Sequence, residues 1–333
     1  MKNNKLDSAN CVFSHLDYLT LKELNIPQTT IKNPVTFEGY GLHTANYSTV
    51  TLKPAPVNFG IKFQRTDLQS PDNIIPALGF YSANYNRNTS LLKDDISIMT
   101  IEHLMAALYL LKIDNVLIEI DNNEVPILDG SALEYVALLK ENVQNQSSNS
   151  EFLILNKYIK VEDESGSFIE AFPYENQELN VHTSFKQPLG EQKVTILREI
   201  ENFSKVCSNN LDINTILSAR TFVFLSEILY LYKNKLIKGG SLKNAIVFVD
   251  VEITEVLKQQ LLDIFEFDEN KIEVKDSILN NKYRMPNEPA YHKSIDVYGD
   301  LSLLGKQFLG KINAYKPGHS INAKFVRKLL NIE

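Results

Sequence analysis

Tryptophan is absent from the chain, and only two of its 333 residues are cysteine, Cys11 and Cys207. They stand far apart and no C-x-x-C occurs, which excludes zinc fingers and thioredoxin chemistry. So few cysteines suit a reducing cytosol. No apolar run reaches the roughly 18 residues that a membrane-spanning helix needs. The opening residues, MKNNKLDSANCVF, hold no apolar h-region and no small-residue cleavage site. A cytoplasmic protein is therefore expected. A basic excess is missing too. Net charge is -7 and the pI ≈ 5.5, so no global field draws the chain to nucleic acid.

What is present is an ordinary globular balance, long enough to favour two domains. Residues 1–28 read as an N-terminal extension. Val12, Leu16, Leu19, Leu21 and Leu24 hint there at a short amphipathic helix. Alternating residues predict strands at 30–37, 48–52 and 59–63. The 3.6-residue period predicts a helix within 96–111, with Thr100 as its N-cap. A first α+β domain over 29–140 results. Residues 141–151, ENVQNQSSNSE, lack periodicity and predict a linker. A second α+β domain covers 152–333. Its helix at 223–232 is apolar nearly all round, so it is buried or lines something apolar. A Pro-Gly turn bearing His319 precedes a closing helix at 323–330.

Three side chains in the second domain recur every four residues. Pro289 favours a helix start, and from there His292, Asp296 and Asp300 stack on one face. An imidazole and a carboxylate one turn apart can grip a divalent ion. By itself this spacing more often marks a solvated ion pair. In the first domain Glu102 and His103 fall off the apolar stripe. Ala106 and Ala107 leave the imidazole room to reach across. His43, in a Gly-flanked loop, is read as structural. His15 and His182 are given no chemistry.

Seven motifs then follow one another in order. They are GYGLHT at 39–44, TIEHLMAAL at 100–108, PILDGSA at 126–132 and SARTFVF at 218–224. KGGSLKNAIV at 238–247, HKSIDVYGDL at 292–301 and KPGHSIN at 316–322 complete the set. Together they resemble the zinc-dependent UDP-3-O-acyl-N-acetylglucosamine deacetylases of lipid A synthesis, from about Thr29 to the C-terminus. The resemblance implies two domains, each a β-sheet layered against α-helices. Their helices would face each other across a cleft holding one Zn²⁺, with Fe²⁺ as an alternative in the cell.

The resemblance implies His103, His292 and Asp296 as metal ligands and Glu102 as the base on the attacking water. His319 would be the charged acid, steadied by Asp300. Thr221 would hydrogen-bond the developing oxyanion, and Lys293 would meet the substrate's polar head. Phe222, Ile228, Ile237, Ser241 and Val247 match an acyl-chain passage in an insert at about 222–250. The partner implied is an acylated UDP-N-acetylglucosamine, with no nucleic acid and with the chain as a monomer. The sequence departs from the family pattern at Tyr291, often Arg, at Ser167, near a nucleotide-touching Lys, and at Ala45, often Gly. In some lineages a dehydratase domain follows on the same chain, and this sequence stops before one. Two alternatives stand beside this reading: the same chemistry on another amide, and a non-catalytic binder of a lipid precursor.

Overall fold

The computed structural model describes residues 16–332 apart from 71–72, 86, 204–205, 209–210, 235–237 and 266–271. The architecture is α+β. In the first half, β2 (Val35–Tyr40), β3 (Tyr47–Pro54), β9 (Val116–Ile120), β4 (Ile61–Arg65) and β5 (Ile74–Pro76) lie side by side in that order. Alternation explains their faces: Val50 and Leu52 are buried on β3, and Val116, Ile118 and Ile120 on β9. A small antiparallel sheet holds β6 (Ser82–Tyr85), β7 (Asn88–Lys93) and β8 (Ile96–Ile98).

The large sheet orders β1 (Leu19–Ile31), β10 (Val143–Leu155), β20 (Gln307–Tyr315), β13 (Gln177–Ser184), β14 (Glu191–Arg198) and β15 (Val206–Cys207). The hairpin of β11 (Ile159–Glu162) and β12 (Phe168–Phe172) joins it through β20. A fourth sheet pairs β16 (Phe222–Phe224), β17 (Ile246–Phe248), β19 (Ile278–Leu279) and β18 (Val274–Lys275).

Seven α-helices occur among the described residues: α1 (Glu102–Leu110), α2 (Leu133–Leu139), α3 (Ile213–Leu217), α4 (Leu225–Lys233), α5 (Glu255–Phe265), α6 (Glu288–Leu301) and α7 (His319–Leu329). Helix α1, from the first half, packs on α6, from the second, and α6 also packs on β13 and β14. Every residue of α1 is buried, and on α6 only Lys293 is not. The two helices touch backbone to backbone: a Cβ at Gly299 of α6 would run into the Glu102 carbonyl of α1. Among the described residues no helix is long and apolar enough to cross a membrane.

Several expectations are corrected. The predicted linker is a strand: β10 pairs antiparallel with β1 from Leu19↔Leu155 to Ile31↔Val143. Its polar side chains serve a ladder with one face outward, so the absence of an apolar period misled. The same pairing makes residues 19–28 strand rather than amphipathic helix, while residues 1–15 lie outside the described residues. Thr100 does not cap α1. It sits at φ 58° and its hydroxyl donates to Glu124 Oε1 at 2.7 Å. The small sheet begun by Phe222–Phe224 and Ile246–Phe248 takes in a strand beyond 250, because β17 pairs with β19. Helix α4 buries one face only, through Leu225 and Ile228, and exposes Tyr230 and Tyr232. The closing helix begins at His319 itself, not after a turn.

Candidate metal centre

The backbone contact at Gly299 brings two short stretches of sequence together. His103 of α1 and His292 and Asp296 of α6 place one ligand atom each within 4.8 Å of one another. His103 Nε2 lies 3.8 Å and His292 Nε2 3.5 Å from Asp296 Oδ1. A tetrahedral ion with bonds of about 2.0–2.2 Å sets its ligand atoms about 3.3–3.6 Å apart. The cluster comes close to that spacing. Asp296 Oδ1 is buried and has no hydrogen-bond partner, a costly state that a cation relieves. The donor set of two imidazoles and one carboxylate therefore fits a metal ion.

The electrostatics agree. His292 Nδ1 lies 3.2 Å from the Ala219 carbonyl, which can only accept. That contact puts the proton on Nδ1 and leaves Nε2 to coordinate. Burial, then the neighbouring His292, drives the His103 pKa down to about 3, so its imidazole is neutral. Burial likewise lowers the pKa of His292. Burial penalises the Asp296 carboxylate, but Lys293 and the surrounding imidazoles hold its pKa well below the usual range. All three stand in ligating protonation states at neutral pH.

Glu102 and His319 flank this cluster. Burial, reinforced by Asp296, raises the Glu102 pKa to about 7, against the lowering pull of His319 and the Thr89 N–H. His319 Nε2 is 4.0 Å from Glu102 Oε1, and its Nδ1 is 3.7 Å from Asp300 Oδ2. Burial pulls the imidazole down, but Asp300, Asp296 and Glu102 overcome it and push its pKa up to about 9. A carboxyl poised near neutrality thus faces a cationic imidazole, a pairing suited to general acid–base work.

Thr221 is bracketed by residues that touch His292. Ala219 accepts from its ring, and the Phe222 ring lies 6.0 Å from it. Between them Arg220 is clamped to the buried Glu288 at 2.8 Å, which fixes the strand entering the site. Thr221 N donates to the Gly130 carbonyl at 2.7 Å. Lys293 Nζ bonds Asp296 Oδ2 at 2.9 Å and lies 5.7 Å from the Phe222 ring.

The passage residues are not gathered in the same way. Ile228 and Val247 pack in one buried cluster with Leu225, Leu257 and Leu261. Ser241 is half-buried and its N–H donates to Asn244 Oδ1. Ile237 lies outside the described residues.

A cavity of about 340 Å³ adjoins the centre, lined by Arg87, Thr89, Asp300, Lys316 and His319 among others. A larger one of about 430 Å³, lined by residues such as Lys62, Tyr109 and Gln307, holds none of the predicted site residues. Of the two, only the smaller is lined by predicted site residues.

Sequence reasoning missed Glu124, Thr89 and Gly299. The buried Glu124 carboxylate accepts from His43 N, Thr44 N, Thr44 Oγ1 and Thr100 Oγ1, tying the loop at 41–44 to the start of α1. Ala45 in that loop sits at φ 57°, in the left-handed region that favours glycine. Tyr291, another of the three departures, is buried with its hydroxyl 2.9 Å from Ser208 Oγ. Nothing in a single sequence marks Glu124 or Thr89. Gly299, inside a helical pattern, was a readable sign of close packing.

The family model for LpxC, UDP-3-O-acyl N-acetylglycosamine deacetylase, matches residues 28–267 and 252–331. The chain is 39% identical over 306 residues to the bifunctional enzyme LpxC/FabZ of Bacteroides thetaiotaomicron, covering 91% of this chain and 64% of that one. The chain thus spans just under two thirds of that relative's length. It is 38% identical to the UDP-3-O-acyl-N-acetylglucosamine deacetylase of Shewanella violacea, covering 91% of this chain and 89% of that one. With the enzyme of that name from Aquifex aeolicus the identity is 35%, covering 91% and 92%. The chain belongs to the UDP-3-O-acyl N-acetylglycosamine deacetylase family.

Proposed function

We propose that the protein hydrolyses the N-acetyl group of UDP-3-O-(3-hydroxyacyl)-N-acetylglucosamine, releasing acetate, in lipid A biosynthesis. We further assign it one Zn²⁺, held by His103, His292 and Asp296, and place it in the cytoplasm as a monomer. One observation carries the reading: a buried His-His-Asp cluster with a near-neutral carboxyl beside it and a cationic imidazole 4.0 Å from that carboxyl. When bound, a Zn²⁺ with three protein ligands supplies Lewis acidity and makes water a nucleophile near pH 7.

The chain's own residues do the rest. Glu102 takes one proton from the attacking water as its oxygen bonds the acetyl carbon. The Thr221 hydroxyl donates to the carbonyl oxygen as negative charge gathers there. Removing one such donor typically costs on the order of 3 kcal/mol in barrier. His319, protonated below about pH 9, gives its Nε2 proton to the leaving nitrogen as the C–N bond breaks. Acetic acid and a free amine result; the acid loses its remaining proton to solvent as acetate, and the proton on Glu102 returns the imidazole to its starting state. Asp300 sustains the charge on His319. Lys293 and the insert's apolar residues meet the sugar nucleotide's polar head and acyl chain.

The test is acetate release from the acylated UDP-sugar. Turnover is expected to vanish after a chelator and return with Zn²⁺. Release that persists without metal, or none at all from the loaded protein, overturns the proposal.

A further inference from the structure

We propose that Thr89 is a positioning residue that spaces acid from base and decides which nitrogen of His319 faces the substrate. The inference rests on the deacetylase reading for its kinetics, but not for its geometry. Thr89 lies in β7 and is 5% exposed. Three of its polar atoms are engaged at the site. Its N–H donates to Glu102 Oε2 at 3.0 Å, and its carbonyl accepts from Ile101 N at 3.2 Å, just before α1. Its hydroxyl lies 2.5 Å from Asp300 Oδ1 and 3.0 Å from His319 Nδ1.

A threonine hydroxyl carries a single proton. At 2.5 Å from the carboxylate oxygen that proton must lie between the two, because facing lone pairs would repel. The hydroxyl then has only lone pairs to offer His319, so Nδ1 must be the donor. The other Asp300 oxygen accepts from Asn322 Nδ2 at 2.8 Å and is 3.7 Å from Nδ1, too far for a direct bond. Thr89 is therefore the link through which Asp300 grips the imidazole. With Nδ1 committed, Nε2 is the nitrogen turned toward Glu102. The same residue holds Glu102 by its main chain and His319 by its side chain. Antiparallel pairing with β6 and β8 keeps that residue in place.

Thr89→Val keeps the shape and the N–H and deletes only the hydroxyl. Its kcat is expected to fall about 10- to 100-fold, the usual cost of losing an outer partner that orients a working histidine. KM should stay within about twofold, with bound metal and melting temperature unchanged. Thr89→Ser should recover kcat to within about threefold of the native enzyme. ¹⁵N spectra taken above about pH 9, where the ring is neutral, should show Nδ1–H on His319 in the native and Ser proteins and a tautomer mixture in the Val protein.

A Val variant with native kcat, a Ser variant as slow as Val, or a kcat loss matched by lost metal or lost folding overturns the proposal. Should the native protein release no acetate, the deacetylase reading fails, and the spectra alone decide on Thr89. One and the same tautomer in native and Val proteins would then reject it.

Discussion

The two ends of α1 are held by the second half of the chain in opposite ways. At the C-terminus the last carbonyls meet a buried cation. Arg198 reaches the Tyr109 and Leu110 oxygens at 3.5 and 3.4 Å, and Gln307 Nε2 reaches Tyr109 O at 3.0 Å. Its remaining N–H groups go to Gln177, Gln307 and the Phe203 carbonyl, and its plane lies 3.9 Å from the Phe203 ring. Positive charge belongs at that end of a helix. At the N-terminus, by contrast, His103 Nδ1 and Asp296 Oδ1 are buried without partners. One end is saturated and the other is left short. Saturation stabilises the fold, whereas a buried shortage favours whatever arrives to complete it.

The comparison breaks hardest where charge is removed from the short end. Glu102→Gln is expected to lower kcat about 10²- to 10⁴-fold, the range for a lost general base. Metal content should stay the same, since the carboxyl is not among the ligand atoms of the cluster. Steady-state kinetics with metal analysis checks both; metal lost along with the carboxylate would move Glu102 into the coordination shell.

At the saturated end the expected effect is on stability alone. Arg198→Met strips the donor from several buried acceptors, each costing about 1–3 kcal/mol. We expect a net loss of about 3 kcal/mol, softened by the apolar replacement. Turnover per folded molecule should be unchanged. Denaturant melts and rates normalised to bound metal separate the two, and a variant that melts normally but turns over slowly would contradict the division.

Much of this arrangement was legible from the chain, and unevenly. The four-residue spacing of His292, Asp296 and Asp300 placed them on one buried helix face, as found. The pairing of that face with Glu102–His103, 189 positions or more away (292 − 103), came from resemblance, because no local period encodes a contact between distant helices. The strand at Val143–Leu155 was missed because its Asn, Gln and Ser face outward or bond laterally, as Gln146 does to Asn115 and to the Ala55 carbonyl. Glu124, Thr89 and Arg198 were missed for a related reason. A buried polar residue reads as a surface one until its partners are known.

Gly299→Ala tests how the short end is kept in register. The added methyl would meet main-chain atoms of Glu102 rather than a side chain that can swing away. Helix α1 would have to shift, at a cost of about 1–3 kcal/mol for overpacking. His103 rides on α1 while His292 and Asp296 ride on α6, so metal affinity should fall with stability. Competition against a chelator of known strength measures it. Native affinity in a destabilised variant would mean the helices slide without moving the ligands.

The measurement that separates the two ends most cleanly is the pH dependence of stability in the metal-free protein. In the fold Glu102 keeps its proton up to about pH 7, against 4.5 for an ordinary glutamate. Between those values the unfolded chain releases the proton first, so rising pH draws the balance toward unfolding. This contribution is fully present below about 4.5 and lost as pH rises through about 7. Glu102→Gln removes it, so the variant's stability relative to the native protein should climb across that window and then level off. Burial lowers the pKa of Arg198, but a guanidinium is not deprotonated in proteins, so it is charged in both states over the same range. The deficit of Arg198→Met should therefore be flat. Chelated samples melted in urea from about pH 4.5 to 8 give both curves. A flat Glu102→Gln difference would mean that the carboxyl titrates normally and that the N-terminal end of α1 is no more strained than the other.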